Sequence, residues 1–317
     1  MTLPKVSIIV TVFNRTEYLP IALRGALDQS FDEYEIIVTD DSGRDAIRDI
    51  CQSFGSPKIR YRRNQGTLGI ALNLRRAIEE AQGKYIAILN DDDVWEPDFL
   101  KELVSALEPD EKRVLAFSDH WIIDSNGIIN QTETDANTER YGRADLAEGV
   151  VADLADVILM KNGVPLAMAS VFRTAALDLN RLVLEVSGAY DYWISLMLAA
   201  SGGRAYYVPK RLTRYRIHDA METGRKSSNK NENLVYINRT LLDENLFPSY
   251  REVLRERYAF TLYIVGKDTL MFKQRERARD YLQQSLKIRF DKKALACLAL
   301  SYMPAPVLGA VLNRRSS

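Results

Sequence analysis

Three consecutive aspartates, Asp91, Asp92 and Asp93, follow a short apolar run at residues 85–89. Neighbouring carboxylates repel one another, so a chain that keeps three together needs a cation or a donor-rich ligand beside them. A divalent metal ion that takes oxygen ligands and carries a diphosphate meets both needs. The structural alternative is a helix N-terminus, with Asp92 or Asp93 as the cap and Pro97 in the first turn.

Two further acidic groups stand at the ends of predicted elements. Asp40 and Asp41 follow a β-branched strand, and Asp191 precedes an apolar helix that begins with Tyr192 and Trp193. Ligands of open α/β sheets bind beyond the carboxyl ends of the strands, so acidic groups after neighbouring strands meet at one edge. A carboxylate partly desolvated among aromatic side chains gains proton affinity, which suits a general base. For Asp41 and Asp191 the alternative role is a helix cap.

The pattern of apolar residues predicts an α/β fold. Continuous β-branched runs indicate strands buried on both faces of a parallel sheet, and helical patterns with short loops separate them. This alternation is typical of a doubly wound sheet. The first strands are predicted at 6–13, 35–39, 58–62 and 85–89, with helices from about 17, at 44–54 and from about 66 to 81, the last capped by Gly83.

The pattern is less regular after the aspartates. Asn126 and Gly127 indicate a hairpin at 121–131, and the polar stretch 132–149 is long enough to be an irregular binding loop. The other elements are predicted as helices at 99–107 and 190–201 and as strands at 113–118, 166–172, 205–208 and 212–217.

Charge limits the choice of partners. The 317 residues carry 43 basic and 43 acidic side chains, so nothing global indicates nucleic acid. Residues 1–224 carry 25 basic and 34 acidic side chains (net −9), and residues 225–317 carry 18 and 9 (net +9). An acidic body suits a metal site, and a basic tail suits an anionic surface such as membrane lipid. The alternative for the tail is a solvated, Arg-rich helical region.

The cysteines and the first strand indicate a cytoplasmic setting. Cys51 and Cys297 are too few and too far apart in sequence for a disulfide framework or a zinc site. The apolar run 6–13 has no small-residue cleavage pattern after it, so we expect no signal peptide there.

Helical patterns predominate from about residue 233. The uncharged stretch 294–312 has 19 residues, which is about the length that spans a membrane, but Pro304 and Pro306 interrupt it. We therefore expect a helical hairpin that packs on the domain or lies at a membrane surface.

A set of motifs together resembles the family-2 inverting glycosyltransferases of the GT-A fold, which use nucleotide-sugar donors. The motifs occur in the family's order and spacing over residues 5–220. The resemblance implies an α/β fold with a Rossmann-like, mostly parallel central sheet flanked by helices, and a helical C-terminal extension. The motifs are Val6-Ser-Ile-Ile-Val-Thr-Val-Phe-Asn14, Val38-Thr-Asp-Asp-Ser-Gly43, Asn64-Gln-Gly66 with Asn73, Ala81-Gln-Gly-Lys-Tyr85, Leu89-Asn-Asp-Asp-Asp93, Gly188-Ala-Tyr-Asp191 and Arg216-Ile-His218.

The resemblance implies a nucleotide site at the first two strand ends. Thr11 and Phe13 would line the base pocket, with Phe13 as a stacking face. Asp41 would accept a hydrogen bond from the ring N–H of uracil or thymine, and Asp40 belongs to the same acidic cluster. Asp91 would hold the ribose or help to order the site.

The resemblance also implies a metal ion and a catalytic base. Asp92 would ligate Mn²⁺ or Mg²⁺ that bridges the diphosphate. His218 would reach the metal or the diphosphate, and a nitrogen ligand favours Mn²⁺ over Mg²⁺. Asp191 matches the base that takes a proton from an acceptor hydroxyl as it attacks with inversion.

Three further residues are expected to support this site. Asn90 stands where many relatives have Asp, and its amide can still hydrogen-bond a ribose hydroxyl. Asp93 is expected to cap or to support the ligands from behind. Arg216 is a candidate for neutralising phosphate, although Arg on a strand face is also ordinary surface chemistry.

The implied function is a metal-dependent inverting glycosyltransferase that moves a sugar from a UDP- or dTDP-sugar to a glycan or lipid-linked acceptor in cell-surface polysaccharide synthesis. We expect a glycosyltransferase domain at 1–232, with a nucleotide-binding half at 1–118 and an acceptor half at 119–232. The helical extension at 233–317 is a candidate for peripheral contact with anionic lipid at the inner face of the plasma membrane.

Proteins of two other classes would share parts of this pattern. A non-catalytic nucleotide-sugar-binding or scaffold protein would need Asp41 and Asp92 but would tolerate the loss of Asp191. A nucleotidyltransferase would need a Gly-rich loop after the first strand, whereas the chain has Asn14-Arg15-Thr16-Glu17 there.

Overall fold

One mixed β-sheet organises the first of two units, Met1–Arg225. The structure, a computed structural model, describes residues 3–218 and 228–304. The strands in these residues are β1 Val6–Val12, β2 Tyr34–Asp40, β3 Ile59–Arg63, β4 Tyr85–Asn90, β5 Val94–Trp95, β6 Arg113–Ile123, β7 Gly149–Val150, β8 Ser170–Arg173 and β9 Arg204–Arg216. Their order in the sheet is β3-β2-β1-β4-β8-β6-β9-β5, with β7 beside β9.

Helices flank this sheet, as the sequence predicts. They follow the strands in the alternation expected for the first half of the unit, and short 3-10 turns precede the last one. The helices of the first unit are α1 Leu19–Leu27, α2 Asp45–Ser53, α3 Ile70–Glu79, α4 Phe99–Leu107, α5 Gln131–Arg140, α6 Leu154–Leu159, α7 Leu166–Ala169 and α8 Tyr190–Ala200.

The block β3-β2-β1-β4 is parallel throughout, and it carries the motifs that are expected to bind the nucleotide. All seven residues of β1 are buried, which explains its continuous β-branched sequence. In the register of this block Val12 lies beside Asp40, and Thr11 lies beside Asn90. The ends of β2 and β4 therefore meet at one edge of the sheet, on either side of the end of β1.

The other strands mix directions. β8 is antiparallel to β4 and β6, whereas β9 is parallel to β6 and antiparallel to β5. The parallel part of the sheet is thus confined to the first block and the β6–β9 pair. The two predicted halves, divided at 118/119, share this sheet, and the division falls inside β6.

Several predicted elements in this second part are wrong. The stretch 132–149 is not wholly irregular, because α5 occupies its first half, with Asn130 accepting a hydrogen bond from the Glu133 N–H as an N-cap. The predicted strand 166–172 begins as α7 and only then becomes β8. The two strands at 205–208 and 212–217 are one continuous strand, β9. The hairpin at 121–131 is reduced to a turn and a single bridge between Ile123 and Ile129.

Gly83 does not cap a helix. α3 ends at Glu79, and Glu80 follows it in ordinary right-handed conformation. A Cβ atom at Gly83 would lie 2.4 Å from the main-chain N of Ser7, so the chain needs glycine here because β1 passes so close.

The second unit, Lys226–Ser317, is helical as predicted. Its boundary falls at 225/226, against the expected 232/233. Helices α10 and α11 pack with α12 around a small core of Leu270, Ala278, Leu282, Ala294 and Cys297. Among residues 3–218 and 228–304 no helix has the length and apolar character that crossing a membrane requires. Residues 305–312 of the uncharged stretch lie outside the described residues. The helices are α9 Ser228–Asp243, α10 Arg251–Met271, α11 Arg275–Ile288 and α12 Lys292–Ser301.

Candidate active site

The turn after β4 holds the three aspartates at the edge of the sheet. Asp91 and Asp92 form the turn, and the chain then continues as β5, which pairs antiparallel with β9. This pairing brings the end of β9, with Arg216 and His218, back to the turn. The alternative that Asp92 or Asp93 caps the next helix is wrong, because α4 begins at Phe99 after Asp98.

Arg15, from the loop after β1, lies against two of the aspartates. Its Nη2 donates to Asp91 Oδ1 over 2.5 Å, and its Nη1 donates to Asp92 Oδ2 over 2.7 Å. The Nε of Arg15 also faces Asp91 Oδ2 at 3.4 Å. The repulsion within the acidic run is thus offset by a cation from this chain. The sequence alone did not predict this role for Arg15.

Burial governs the protonation of two of the carboxyl groups. Asp91 is 2% exposed, and burial raises the pKa of Asp91 to about 7, even though the charge of Arg15 lowers it. Asp93 is fully buried, and burial together with the charge of Asp92 raises the pKa of Asp93 to about 8. Asp93 accepts hydrogen bonds from Asn90 Nδ2 at 2.8 Å and Arg216 N at 3.0 Å. It faces into the fold, as the supporting role requires.

The side chain of Arg216 holds the acidic turn in place by donating hydrogen bonds to main-chain carbonyls. Its Nε donates to the carbonyl of Asp92 over 2.9 Å, and its Nη1 lies 3.2 Å from the carbonyls of Asp124 and Ser125. The guanidinium also lies over the ring of Tyr18, 4.5 Å from its centre. Arg216 is 3% exposed and its Nε and Nη1 donate within the fold, so it does not face a phosphate in this arrangement.

Asp92 and His218 converge. The Nε2 of His218 lies 3.1 Å from Asp92 Oδ2, and the ring of His218 packs against Tyr18 with centroids 5.0 Å apart. Ligands about 2.1 Å from a metal ion and at right angles to each other lie about 3.0 Å apart. The pair therefore fits two adjacent ligand positions.

Across the described parts of the chain, no three His, Cys, Asp or Glu side chains are grouped to hold a metal ion by themselves. A site with two protein ligands is suited to an ion that takes its other ligands from a diphosphate and water, as Mg²⁺ commonly does. The residues present thus fit a divalent ion that binds with a diphosphate substrate.

Asp41 is tied to the start of α3. Its Oδ1 accepts from Asn64 Nδ2 at 2.8 Å and Leu68 N at 2.9 Å, and its Oδ2 accepts from Gly69 N at 2.9 Å. Asp41 therefore fixes the loop before α3 and caps no helix, because Leu68 and Gly69 precede α3 and the helix after Ser42, α2, has no side-chain cap.

The other residues of the predicted base pocket lie at the same edge. Asp40 is fully buried and accepts from Tyr61 Oη at 2.7 Å and from Ser42. Thr11 is 7% exposed, while Phe13 is 49% exposed and presents an open face. The structure thus brings Thr11, Asp40 and Asp41 together with the acidic turn, and leaves Phe13 at the rim.

Asp191 lies in the first turn of α8 and is exposed. The expectation that it is partly desolvated is therefore wrong. Its Oδ1 accepts from the main-chain N of Tyr192 at 2.8 Å. The preceding residue, Tyr190, is buried, and its hydroxyl donates to Asn90 Oδ1 over 3.3 Å.

The four carboxylates of the site also affect the pKa of Tyr190. Burial raises the pKa of Tyr190, and the charges of Asp191, Asp93, Asp92 and Asp91 raise it further. All four carboxylates thus lie within electrostatic range of one side chain. The N-terminus of α8 and the acidic turn face a common region.

Arg15, Tyr18 and Tyr190 were not predicted from the sequence. Arg15 contacts residues 76 and 77 positions away, which no local pattern predicts. One signal was available: Arg15 is the cation in the loop after β1, and β1 is the neighbour of β4 in the predicted sheet. An acidic cluster after β4 favours a cation from that loop.

Comparison with known proteins agrees with this architecture. Residues 7–154 match the family described as Glycosyl transferase family 2. A Campylobacter jejuni protein, GalNAc(5)-diNAcBac-PP-undecaprenol beta-1,3-glucosyltransferase, is 24% identical over 316 residues, which are 95% of this chain and 94% of that protein. An uncharacterised glycosyltransferase of Rickettsia typhi is 28% identical over 222 residues, which are 69% of this chain and 66% of the relative. The match thus spans just under two thirds of that relative.

Two solved structures are similar in fold. S. aureus TarS 1-349 in complex with UDP-GlcNAc has a TM-score of 0.66 at 14% identity, covering 94% of this chain and 89% of TarS. The mannosyltransferase PcManGT from Pyrobaculum calidifontis, in complex with GDP-Man and Mn²⁺, has a TM-score of 0.56 at 17% identity, covering 98% of this chain and 85% of the other. The chain therefore has the GT-A fold, and its residues 7–154 match glycosyl transferase family 2.

Proposed function

We propose that this chain is a metal-dependent, inverting glycosyltransferase that moves a sugar from a UDP- or dTDP-sugar to a hydroxyl group of an acceptor. One observation carries the proposal: Asp92 and His218 converge at the turn after β4, and Tyr190 links that turn to the helix that presents Asp191. The metal ligands would then stabilise the charge on the leaving diphosphate, while Asp191, nearby, would accept the proton of the attacking hydroxyl.

The donor nucleotide is proposed to lie along the ends of β1, β2 and β4. Asp41 accepts from three donors, Asn64 Nδ2, Leu68 N and Gly69 N, and a carboxylate offers about four acceptor sites, so one is left for the ring N–H of uracil or thymine. Phe13 offers an exposed ring for stacking. Among the similar structures, TarS is in complex with UDP-GlcNAc and PcManGT is in complex with GDP-Man, so the uracil preference needs a direct test.

Asp92 and His218 are proposed to hold Mn²⁺ or Mg²⁺ against the diphosphate. When bound, the ion neutralises the charge that gathers on the leaving nucleoside diphosphate. Imidazole suits Mn²⁺ better than Mg²⁺, which prefers oxygen and keeps its water. Asp91 stands beside this pair and is proposed to accept a ribose hydroxyl.

Asp191 is proposed to be the catalytic base. Its carboxylate takes the proton of an acceptor hydroxyl as the hydroxyl oxygen forms a bond to the anomeric carbon. The bond from that carbon to the diphosphate oxygen breaks, and its electron pair leaves with the nucleoside diphosphate. Attack from the opposite side inverts the anomeric configuration. The exposure of Asp191 leaves it accessible to an acceptor.

A lipid-linked glycan is the proposed acceptor, in the synthesis of a cell-surface polysaccharide or glycolipid. The name of the Campylobacter jejuni relative includes a diphosphate-linked undecaprenol acceptor. Lys292 and Lys293 start α12, and the exposed Phe290 and Leu295 flank them. Basic and apolar side chains side by side suit peripheral contact with anionic lipid. The buried thiols of Cys51 and Cys297 fit a cytoplasmic setting at the inner face of the membrane.

A donor-hydrolysis screen tests the reaction. Nucleotide sugars with uracil, thymine and guanine bases are incubated with Mn²⁺ and wild type, Asp191→Asn or Asp49→Asn, the last an exposed carboxylate on α2. We expect slow hydrolysis of one UDP- or dTDP-sugar by wild type and Asp49→Asn. Asp191→Asn should bind that donor with unchanged affinity and hydrolyse it at least about a hundredfold more slowly. Equal rates for wild type and Asp191→Asn would contradict the base assignment. Donor binding without turnover by any form, even with acceptor glycolipids, would indicate a non-catalytic binding protein.

A further inference from the structure

Arg15 occupies the centre of the acidic site. Its guanidinium bridges Asp91 and Asp92 with contacts of 2.5 and 2.7 Å, and both carboxylates are buried. The side chain of Arg15 is 30% exposed, so one side of it remains open to solvent. Asn14, which precedes it, has a left-handed backbone with φ of 61°. This conformation, which Asn tolerates better than most residues, turns the chain sharply after β1 and brings Arg15 toward the end of β4.

Arg15 and His218 contact the same oxygen atom of Asp92. Asp92 Oδ2 accepts from Arg15 Nη1 at 2.7 Å and also faces His218 Nε2 at 3.1 Å. The same oxygen is the natural ligand for an ion held between Asp92 and His218. A divalent ion there would lie within a few ångströms of the guanidinium, and two cations at that distance repel strongly in a partly buried site.

We propose that Arg15 and the divalent cation compete for Asp92, and that the guanidinium, once displaced, binds the diphosphate of the donor. The inference rests on the proposed function for its second step. Arg15 is then the resident cation of the acidic turn before metal binds and a binding residue for the leaving group afterwards. Guanidinium groups pair with phosphate oxygens through two parallel N–H donors, so the exchange replaces one charge-assisted pair with another.

The alternative is a fixed structural pair. In that case Arg15 would keep its contacts with Asp91 and Asp92 in every state and would serve only to offset their repulsion. The two possibilities predict opposite changes in metal affinity when Arg15 is replaced. Removing a competitor strengthens metal binding, whereas removing a structural partner loosens the turn and weakens it.

The test compares Mn²⁺ binding without nucleotide, by titration with detection of free Mn²⁺ by electron paramagnetic resonance, and UDP binding at saturating Mn²⁺ by calorimetry. The variants are Arg15→Gln, Arg15→Lys and the charge control Arg214→Gln, whose guanidinium pairs with Glu96 at 2.6 Å. Thermal unfolding without metal verifies that each variant folds. For Arg15→Gln we expect about tenfold tighter Mn²⁺ binding and about tenfold weaker UDP binding, each factor corresponding to about 1.4 kcal/mol.

Arg15→Lys keeps the positive charge but loses the paired N–H donors of the guanidinium. Its Mn²⁺ affinity should therefore lie near that of wild type, and its UDP affinity between those of wild type and Arg15→Gln. Unchanged or weaker Mn²⁺ binding by Arg15→Gln overturns the competition. An equal gain in Mn²⁺ affinity in Arg214→Gln also overturns it, because the gain would then follow from the change in net charge alone. Unchanged UDP affinity in Arg15→Gln overturns the diphosphate step. If wild type binds Mn²⁺ but no nucleotide, the proposed function fails, while the Mn²⁺ measurement still decides the competition.

Discussion

The hydroxyl of Tyr190 donates a hydrogen bond to Oδ1 of Asn90 over 3.3 Å. This contact joins the first turn of α8 to the last residue of β4, across 100 positions of sequence. Asn90 extends the link, because its Nδ2 donates to Asp93 Oδ2 at 2.8 Å. The helix that carries the proposed base and the turn that carries the proposed metal ligand are thus connected through side chains.

Tyr190→Phe should slow turnover without weakening donor binding. The change removes the hydroxyl and keeps the ring. Asp191 is then held less firmly relative to the acidic turn, while the nucleotide contacts remain. We expect kcat for donor hydrolysis to fall about tenfold, and the free energy of unfolding to fall by about 1 kcal/mol, with KM unchanged. Steady-state kinetics and urea denaturation measure the two effects.

The matched control is Tyr85→Phe. The Tyr85 hydroxyl is buried and has no hydrogen-bond partner among the described residues. Its removal should leave both kcat and stability unchanged or raise stability slightly, because no partner is orphaned. Equal kinetics for wild type and Tyr190→Phe would show that the contact does not position the base.

His218→Ala should change the metal preference, whereas Asp92→Asn should weaken all divalent ions. The imidazole of His218 is a softer ligand than carboxylate, so its loss removes more binding energy for Mn²⁺ than for Mg²⁺. We expect the Mn²⁺ affinity of His218→Ala, measured with UDP present, to fall about tenfold or more while Mg²⁺ affinity changes less. If both ions lose affinity equally, His218 does not ligate the metal and contributes only through Asp92.

His120 should make the fold sensitive to acid. It is 3% exposed, and burial, together with the charge of Arg143, lowers the pKa of His120 to about 3. The native state therefore keeps the imidazole neutral at a pH where the unfolded chain binds a proton. Stability from this group is fully present above about 6.5 and is lost as pH falls toward 3, by up to about 1.4 kcal/mol per pH unit.

His120→Gln tests that origin. Urea denaturation between pH 8 and pH 4 should give a shallower loss of unfolding free energy in the variant than in wild type, with the two curves parallel above pH 7. Parallel curves over the whole range would mean that other groups cause the acid sensitivity.

The first block of the sheet could be predicted because local and tertiary requirements agree there. β1 is buried at all seven positions, so its sequence can be β-branched throughout, and few structures besides a buried parallel strand favour that pattern. The same agreement located the acidic clusters after β2 and β4 at one edge. Thr11 lies beside Asn90 in the register, as adjacent parallel strands require.

The second part was harder because tertiary contacts override its local patterns. The sequence of α5, Gln131–Arg140, has no apolar face, and Thr134 is its only buried residue. Thr134 Oγ1 accepts from Ile122 N and the Asn130 side chain caps the helix, so contacts with β6 and the cap stabilise it. β9 is one strand where two were predicted; it continues through Pro209, and its pairing with β6 shifts register between Ser118 and Asp119.

Lys292 and Lys293 should govern attachment to anionic vesicles. Both are exposed at the start of α12, beside the exposed side chains of Phe290 and Leu295. Each basic residue near an anionic surface contributes about 1 kcal/mol, so reversing both to Glu should weaken binding to phosphatidylserine-containing vesicles by at least about tenfold. Co-sedimentation measures the bound fraction, and high salt should abolish the difference between the proteins.

The control reverses two lysines of the first unit, Lys84 and Lys101, which are also exposed. The same net charge is then changed at a different place, so a loss confined to the α12 variant locates the contact in the second unit. Equal losses in both variants would indicate only long-range attraction by net charge. Binding that neither reversal reduces would contradict an electrostatic contact with lipid, and the basic tail would then be a solvated helical surface.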